Sequence, residues 1–281
     1  TFVLPLEDKV FTRELWEMAT ECPVVFPSGI GVVPWMVPGG REIAVATSEL
    51  MKKYDLAIWA HHGMFAAGFD FDLTFGLMLA VARNIVSTNR WVHEGRWQTA
   101  IGVDVCGKTL GLMGSGAIAK NVARRASGFG MKVLAYDPYV KELPEEFQSY
   151  VTLCGENEVI SGCDFLSLHL PLNDETRNMI SAPQLASMKA GAYVINAARG
   201  GIVNEKDLYE ALVSGHIAGA AMDVSEVEPM AEENPLRTLD NVIITPHIGM
   251  YSKEAIGAVS LICAQNVAAC AAGAELKFQV V

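Results

Sequence analysis

In the second half of the chain, short apolar runs rich in β-branched residues alternate with stretches whose apolar positions recur at helical spacing. The runs predict strands at Thr109–Met113, Lys132–Tyr136, Phe165–Leu170, Tyr193–Asn196, Ile217–Val224 and Val242–Thr245. The stretches between them predict helices at Ile118–Gly128, Glu156–Ser161, Ala182–Met188, Glu205–Ser214 and Leu236–Leu239. Runs that are apolar almost throughout mark strands covered on both faces. Strand, helix, strand repeated this often predicts an α/β fold with a doubly wound parallel sheet. Two longer helical patterns flank it. Leu73–Arg90 is apolar nearly all round, which predicts burial between layers or domains. Tyr251–Ala272 ends in an alanine-rich stretch before Gly273, and Lys277–Val281 reads as a short strand. Before Leu73 the texture changes to Trp-bearing segments and Pro/Gly turns, at Pro23, Pro27, Gly29, Pro34 and Pro38-Gly39-Gly40. A joint is expected near Asp72–Thr74.

Length and composition fit this picture. The 281 residues make two domains, or one large α/β unit, at roughly 150 residues per domain. With 51% apolar and 19% charged residues the chain buries a sizeable core. The net charge of −11 repels phosphate backbones and anionic lipid, so neither nucleic acid nor a membrane surface is an expected partner. A local basic pocket can still hold a small anion. The cysteines, Cys22, Cys106, Cys154, Cys163, Cys263 and Cys270, form no CxxC pair and predict reduced thiols in a cytoplasmic protein. No apolar run reaches the roughly 18 residues of a membrane span. Thr1-Phe2-Val3-Leu4-Pro5 has no basic run of the kind that opens a signal peptide, and reads as the inside of a strand.

The sharpest motif is Gly114-Ser115-Gly116-Ala117-Ile118-Ala119, between a predicted strand and a predicted helix. Gly114 permits a tight turn, Gly116 lets backbone approach a pyrophosphate, and Ala119 suits close packing of helix on strand. The N–H groups of the first helical turn then face the phosphates. Asp137 ends the next strand, where a carboxylate can accept from adenosine ribose hydroxyls and repel a 2′-phosphate. That pattern selects NAD over NADP. The plainer alternative is a glycine turn and an ordinary Asp before Pro138.

Three further segments lie at predicted carboxyl ends of strands, where such sheets bind ligands. They are Asn196-Ala197-Ala198-Arg199-Gly200-Gly201, Asp223-Val224-Ser225-Glu226-Val227-Glu228-Pro229 and Thr245-Pro246-His247-Ile248-Gly249. Together they offer a fixed cation, a carboxylate and an imidazole, the groups needed to interconvert a 2-hydroxy acid and a 2-keto acid. A guanidinium clamps a carboxylate bidentately and polarises the neighbouring carbonyl. An imidazole moves the hydroxyl proton, and a carboxylate orients it.

At these residues the chain resembles the D-isomer-specific 2-hydroxyacid dehydrogenases, from about Thr74 to Gly273. The likeness includes Thr74-Phe75-Gly76-Leu77-Met78-Leu79-Ala80-Val81-Ala82-Arg83, Glu94-Gly95-Arg96-Trp97, the Gly-rich turn and Leu168-His169-Leu170-Pro171-Leu172. The resemblance implies Arg199 as the clamp on substrate, His247 as general acid/base and Glu228 as its partner, with Glu226 the rival for that place. It implies cofactor contacts at Gly114, Ser115, Gly116, Ala117, Ile118, Asp137, Pro171, Ala198 and Asp223, the last on the nicotinamide carboxamide. It further implies a homodimer. His169 reads as structural or near the cofactor ribose. Met250 and Tyr251 stand where the family usually has small residues, and they crowd the nicotinamide face.

Residues 1–73 do not read as that family's substrate domain. They resemble the zinc-dependent class II L-rhamnulose-1-phosphate aldolases, through Leu4-Pro5-Leu6-Glu7-Asp8-Lys9-Val10-Phe11-Thr12-Arg13-Glu14-Leu15-Trp16-Glu17-Met18, Pro34-Trp35-Met36-Val37-Pro38-Gly39 and His61-His62-Gly63-Met64-Phe65. That likeness implies His62 as a zinc ligand and Glu21 as a site carboxylate. A catalytic zinc needs three protein ligands. The paired histidines that supply the others in those aldolases are missing upstream, and His61, adjacent in a strand, points the opposite way. No metal site is therefore expected. The expected layout is an aldolase-like region over 1–73, a connecting helix over 74–97, a Rossmann domain over 98–250 and a return helix and strand over 251–281. Three functions stay open: an NAD-dependent D-2-hydroxyacid dehydrogenase, an aldolase-derived chain, and a non-catalytic NAD-binding module.

Overall fold

The structure, a computed structural model, describes residues 30–33, 56–59 and 70–256. The chain divides into two compact units, one of residues 1–66 with 253–281 and one of residues 67–252. In the first, β1 (Ile30–Val33) and β2 (Leu56–Trp59) pair in parallel, Ile30 opposite Leu56 and Val33 opposite Trp59. A helix opens at Lys253. The rest of the Tyr251–Ala272 helix, the Lys277–Val281 strand, Glu21, His61 and His62 lie outside the described residues.

The second unit is a seven-stranded parallel sheet. Its strands are β3 (Thr109–Met113), β4 (Lys132–Tyr136), β5 (Val151–Leu153), β6 (Phe165–Leu168), β7 (Ala192–Asn196), β8 (Ile217–Met222) and β9 (Val242–Ile244). Their order across the sheet is β5-β4-β3-β6-β7-β8-β9. From β3 the chain builds outward to β5, then returns to lay β6 on the other side of β3. The reversal leaves a crevice at the carboxyl end of β3, the usual ligand position in open α/β sheets.

Parallel neighbours require crossovers. Four of them carry helices of six residues or more: α3 (Ala117–Gly128) after β3, α5 (Glu156–Gly162) after β5, α6 (Ala182–Ser187) after β6 and α7 (Glu205–Val213) after β7. One-turn α4 (Glu145–Gln148) and the 3₁₀ turn Pro235–Thr238 serve the other two. Strand side chains alternate between two cores. Leu110, Leu112, Phe165 and Ile195 join residues of α3 and α4 on one face. Met113, Leu166, Leu168 and Val194 join residues of α5, α6 and α7 on the other. At Gly111 a Cβ would lie 2.8–2.9 Å from atoms of Cys163 and Val159, so the strand backbone itself forms the floor for α5.

Strand and helix cores agree with the sequence pattern, and the predicted strand ends shorten by one or two residues where the chain turns into site loops. One predicted helix is broken in two, the predicted helix Leu236–Leu239 is the 3₁₀ turn Pro235–Thr238, and two short elements were not predicted. The Leu73–Arg90 pattern is two helices, α1 (Asp70–Ala82) and α2 (Ile85–His93), because Asn84 adopts a left-handed conformation with φ of 53°. Its carbonyl accepts the hydroxyls of Ser87 and Thr88, and its amide donates to the carbonyl of Ile101. Helix α1 buries Phe75, Leu77, Met78, Val81 and Ala82 in the first core, whereas α2 leaves Ile85, Val86 and Val92 exposed. Strand β5 and helix α4 were not read from the sequence. Three strand residues and a single helical turn are too short for periodicity to register.

Burial sets the first expected outcome. Leu166, wholly buried between β3 and β7, should cost about 2–5 kcal/mol as Leu166→Ala. Val213→Ala, on an exposed position at the end of α7, should stay within about 0.5 kcal/mol. Urea unfolding followed by circular dichroism measures both.

Candidate active site

The crevice begins at the turn after β3. Gly114 has φ of +97°, and a Cβ there would lie 2.5 Å from the carbonyl oxygen of His169, so glycine is needed on both counts. Gly116 precedes α3 with no side-chain cap, and a Cβ on it would meet nothing within 4 Å. Open space therefore stands before the first turn of α3. Exposed Ala117 and half-buried Ile118 follow, and Ala119 is buried against the sheet. Backbone N–H groups at an uncapped helix start, with room for a bulky anion, suit a dinucleotide pyrophosphate.

Asp137 sits just past β4. Its Oδ2 accepts from the N–H and the hydroxyl of Ser115 at 2.9 and 3.0 Å, and its Oδ1 accepts from the N–H of Tyr139 at 3.0 Å. Across the crevice, Pro171 opens the loop after β6. The loop is folded on itself by Thr176, whose hydroxyl donates to the Pro171 carbonyl at 2.7 Å. His169 contacts the Ser167 hydroxyl through Nε2 at 2.9 Å, and burial pushes its imidazole down to about 4. It is neutral at physiological pH, and its backbone carbonyl lies against Gly114.

The loops after β7, β8 and β9 carry the remaining groups. Asn196, fully buried, ties the first: its Oδ1 accepts from Ala198 N–H at 3.1 Å and its amide donates to the Arg199 carbonyl at 3.0 Å. The half-buried Arg199 donates from Nη1 to the Ala198 carbonyl at 2.6 Å. A Cβ on Gly200 would fall 1.8 Å from the Ser225 carbonyl oxygen, so the loops after β7 and β8 meet backbone to backbone.

Asp223 is 1% exposed. Its Oδ1 accepts from the Thr245 hydroxyl at 2.5 Å and Ile248 N–H at 2.9 Å, and its Oδ2 from Gly249 N–H at 2.8 Å. Burial raises its carboxyl above the ordinary value, against the lowering effect of these bonds. The same residue's carbonyl accepts from His247 N–H at 2.8 Å. His247 itself has φ of 54°, a left-handed conformation that costs a residue with a side chain. Its Nδ1 meets Glu228 Oε2 at 2.8 Å, and Glu228 Oε1 accepts from Ser225 N–H at 3.1 Å. Glu226 instead gives its backbone N–H to the carboxylate of Glu205. Of the two rival carboxylates, Glu228 stands on the imidazole. The pair is partly exposed, so its value lies in fixing the ring and leaving Nε2 to a ligand.

The structure thus gathers Arg199, Glu228 and His247 on the ends of adjacent strands, and the turn residues with Asp137 on the ends of β3 and β4. Asn196, Thr245 and Gly200 are supports that the sequence reading quoted without assigning a role. The Asn-x-x-Arg-Gly spacing was the available signal for two of them. Among the described residues no cluster of three His, Cys, Asp or Glu could hold a metal ion.

An open parallel sheet with this turn at its switch point defines a dinucleotide-binding α/β domain. Residues 75–249, well over half of the chain, match the model of the D-isomer specific 2-hydroxyacid dehydrogenase NAD binding domain, and the chain belongs to that family. Residues 10–100 match the Class II Aldolase and Adducin N-terminal domain, running past Thr74 and overlapping the first match. A hydroxypyruvate reductase of Thermotoga maritima is 46% identical over 190 residues, covering 66% of this chain and 60% of that one. A D-3-phosphoglycerate dehydrogenase of Methanocaldococcus jannaschii is 38% identical over 258 residues, 91% of this chain and 47% of that one. The chain thus spans about half to three-fifths of the length of these curated relatives. The solved D-lactate dehydrogenase with NAD⁺ from Lactobacillus jensenii superposes with a TM-score of 0.72 at 27% identity, over 89% of this chain and 86% of that one.

His169 makes stability pH-dependent. Its folded value near 4 lies below the ordinary 6.5, so the unfolded chain binds the extra proton between them. The stabilisation is complete above 6.5 and is lost as pH falls toward 4. Urea midpoints measured from pH 7 to 4 should fall less steeply in His169→Gln than in the unmutated protein.

Proposed function

We propose that this chain is an NAD-dependent oxidoreductase that interconverts a D-2-hydroxy acid and a 2-keto acid. The observation that carries the reading is the His247–Glu228 pair, held on the strand end next but one to that of Arg199. The pyrophosphate would lie on the Gly114–Gly116 turn and the start of α3, and the adenosine ribose on Asp137. Pro171, Ala198 and Asp223 would line the nicotinamide end. Asp223 Oδ2 has one donor from the loop and one acceptor position left, which suits the carboxamide N–H. Bound NAD supplies the hydride acceptor or donor.

In the reductive direction the guanidinium of Arg199 holds the substrate carboxylate and draws electron density from the keto oxygen. As C2 is reduced, the carbonyl π pair would move onto oxygen. That oxygen takes the proton from Nε2 of protonated His247, whose ring Glu228 holds in place through Nδ1. Oxidation runs the same steps backward, with neutral His247 as base.

One observation favours a second reading, a non-catalytic NAD-binding module. The match over residues 10–100 is to an aldolase model, in the part of the chain where a substrate domain would stand. The unpaired Cys106, Cys154 and Cys163 suit a cytoplasmic setting, and among the described residues no helix is long and apolar enough to cross a membrane.

Kinetics separates the two readings. With NADH and a panel of glyoxylate, pyruvate, hydroxypyruvate and larger 2-keto acids, His247→Ala should lower kcat about 10²–10⁴-fold with NADH affinity little changed. Arg199→Lys should act mainly through KM, because an ammonium cannot reproduce the bidentate clamp. Binding of NADH with no turnover of any of these acids leaves only the binding module.

The exposed Ile85, Val86 and Val92 of α2, with Trp97 and Ile101 beyond it, suit burial against a second copy about a two-fold axis. Sedimentation at micromolar concentration should give a homodimer, and Trp97→Glu with Ile101→Glu should shift it toward the 30.3 kDa monomer. A monomer throughout refutes the dimer.

A further inference from the structure

A carboxylate offers about four acceptor positions, two on each oxygen. At Asp137 three are taken. Oδ2 holds the Ser115 N–H at 2.9 Å and the Ser115 hydroxyl at 3.0 Å, and Oδ1 holds the Tyr139 N–H at 3.0 Å. One position remains, on Oδ1. The adenosine ribose that Asp137 is proposed to receive presents two neighbouring hydroxyls. Both cannot donate to Asp137 while all three present donors stay.

The three donors differ in how freely they can leave. The Ser115 and Tyr139 N–H groups are fixed by the backbone. Gly114 closes its turn against His169, with no room even for a Cβ. The Ser115 hydroxyl is held by a single torsion, and one rotation about χ1 withdraws it without moving the turn. Ser115 is 4% exposed, so its hydroxyl has little competing water and gains most by staying on the carboxylate until something replaces it.

We infer that the Ser115 hydroxyl is a placeholder for one ribose hydroxyl of the dinucleotide, occupying its acceptor position on Asp137 and yielding it on binding. The inference rests on the proposed role of Asp137. It makes Ser115 a specificity-determining residue that acts through Asp137. The exchange of one charge-assisted hydrogen bond for another lowers the net gain from the ribose and keeps NAD affinity moderate. NADP gains nothing from the exchange, because its 2′-phosphate replaces the hydroxyl that would donate and is itself repelled by the carboxylate.

The test is a binding titration, read by nicotinamide fluorescence with no substrate present. Ser115→Ala should bind NADH about tenfold more tightly, the weight of one hydrogen bond to a charged group, and should leave NADPH unimproved. Ser115→Thr, which keeps the hydroxyl, should bind like the unmutated protein. In an Asp137→Ala background the Ser115→Ala change should have no effect, and the NADH over NADPH preference should narrow. Equal weakening of both cofactors by Ser115→Ala, with a lower unfolding midpoint, would mean that the hydroxyl only supports the turn, and the inference fails. Unchanged NADH affinity overturns it alone. No NADH binding by the unmutated protein overturns it together with the cofactor reading.

Discussion

The site depends on loops that approach one another backbone to backbone along the carboxyl edge of the sheet. Side chains between them would hold the strand ends too far apart for their functional groups to converge. The chain removes those side chains where contact is closest. Gly114 lies against the His169 carbonyl, and Gly200 lies against the Ser225 carbonyl at a distance no Cβ can occupy. The first contact shapes the cofactor turn. The second sets the loop that carries Arg199 against the loop that carries Glu228.

Closeness brings buried polar groups with it, and these have to be satisfied in place. Asp223 is a buried carboxylate that would be costly alone. It is kept by the Thr245 hydroxyl and two N–H groups, all from the segment that carries His247. The same bonds hold His247 in a left-handed conformation worth about 1–3 kcal/mol of strain. One group therefore satisfies its own burial by fixing the imidazole. Asn196 does the same for Arg199, using both ends of its amide within one turn. Both supports are far less exposed than the groups they position, which leaves the functional side chains half open to ligand on rigid strand ends.

Much of this was legible in the sequence because the signals are local. Apolar runs without alternation announced a parallel sheet, and the Gly-rich turn fell between a strand and a helix as its spacing required. The break at Asn84 was not legible. Its neighbours continue the helical pattern, and the left-handed turn is stabilised by contacts with Ser87, Thr88 and Ile101 that periodicity does not encode. The choice between Glu226 and Glu228 was likewise open. They are two residues apart on one loop, and only the path of that loop puts one on the imidazole. Nor did the motif reveal that Asp137 is engaged by three donors, because hydrogen-bond saturation is a property of the folded turn.

The division of labour along the chain follows from where these supports lie. The turn, Asp137, Asn196, Asp223, Glu228 and His247 all belong to residues 67–252, and among the described residues the hydrogen bonds that fix them join members of that unit. Arg199 stands on the same edge, with Nη1 donating to the Ala198 carbonyl. The fold supplies rigid strand ends, and function lies in the groups set on them.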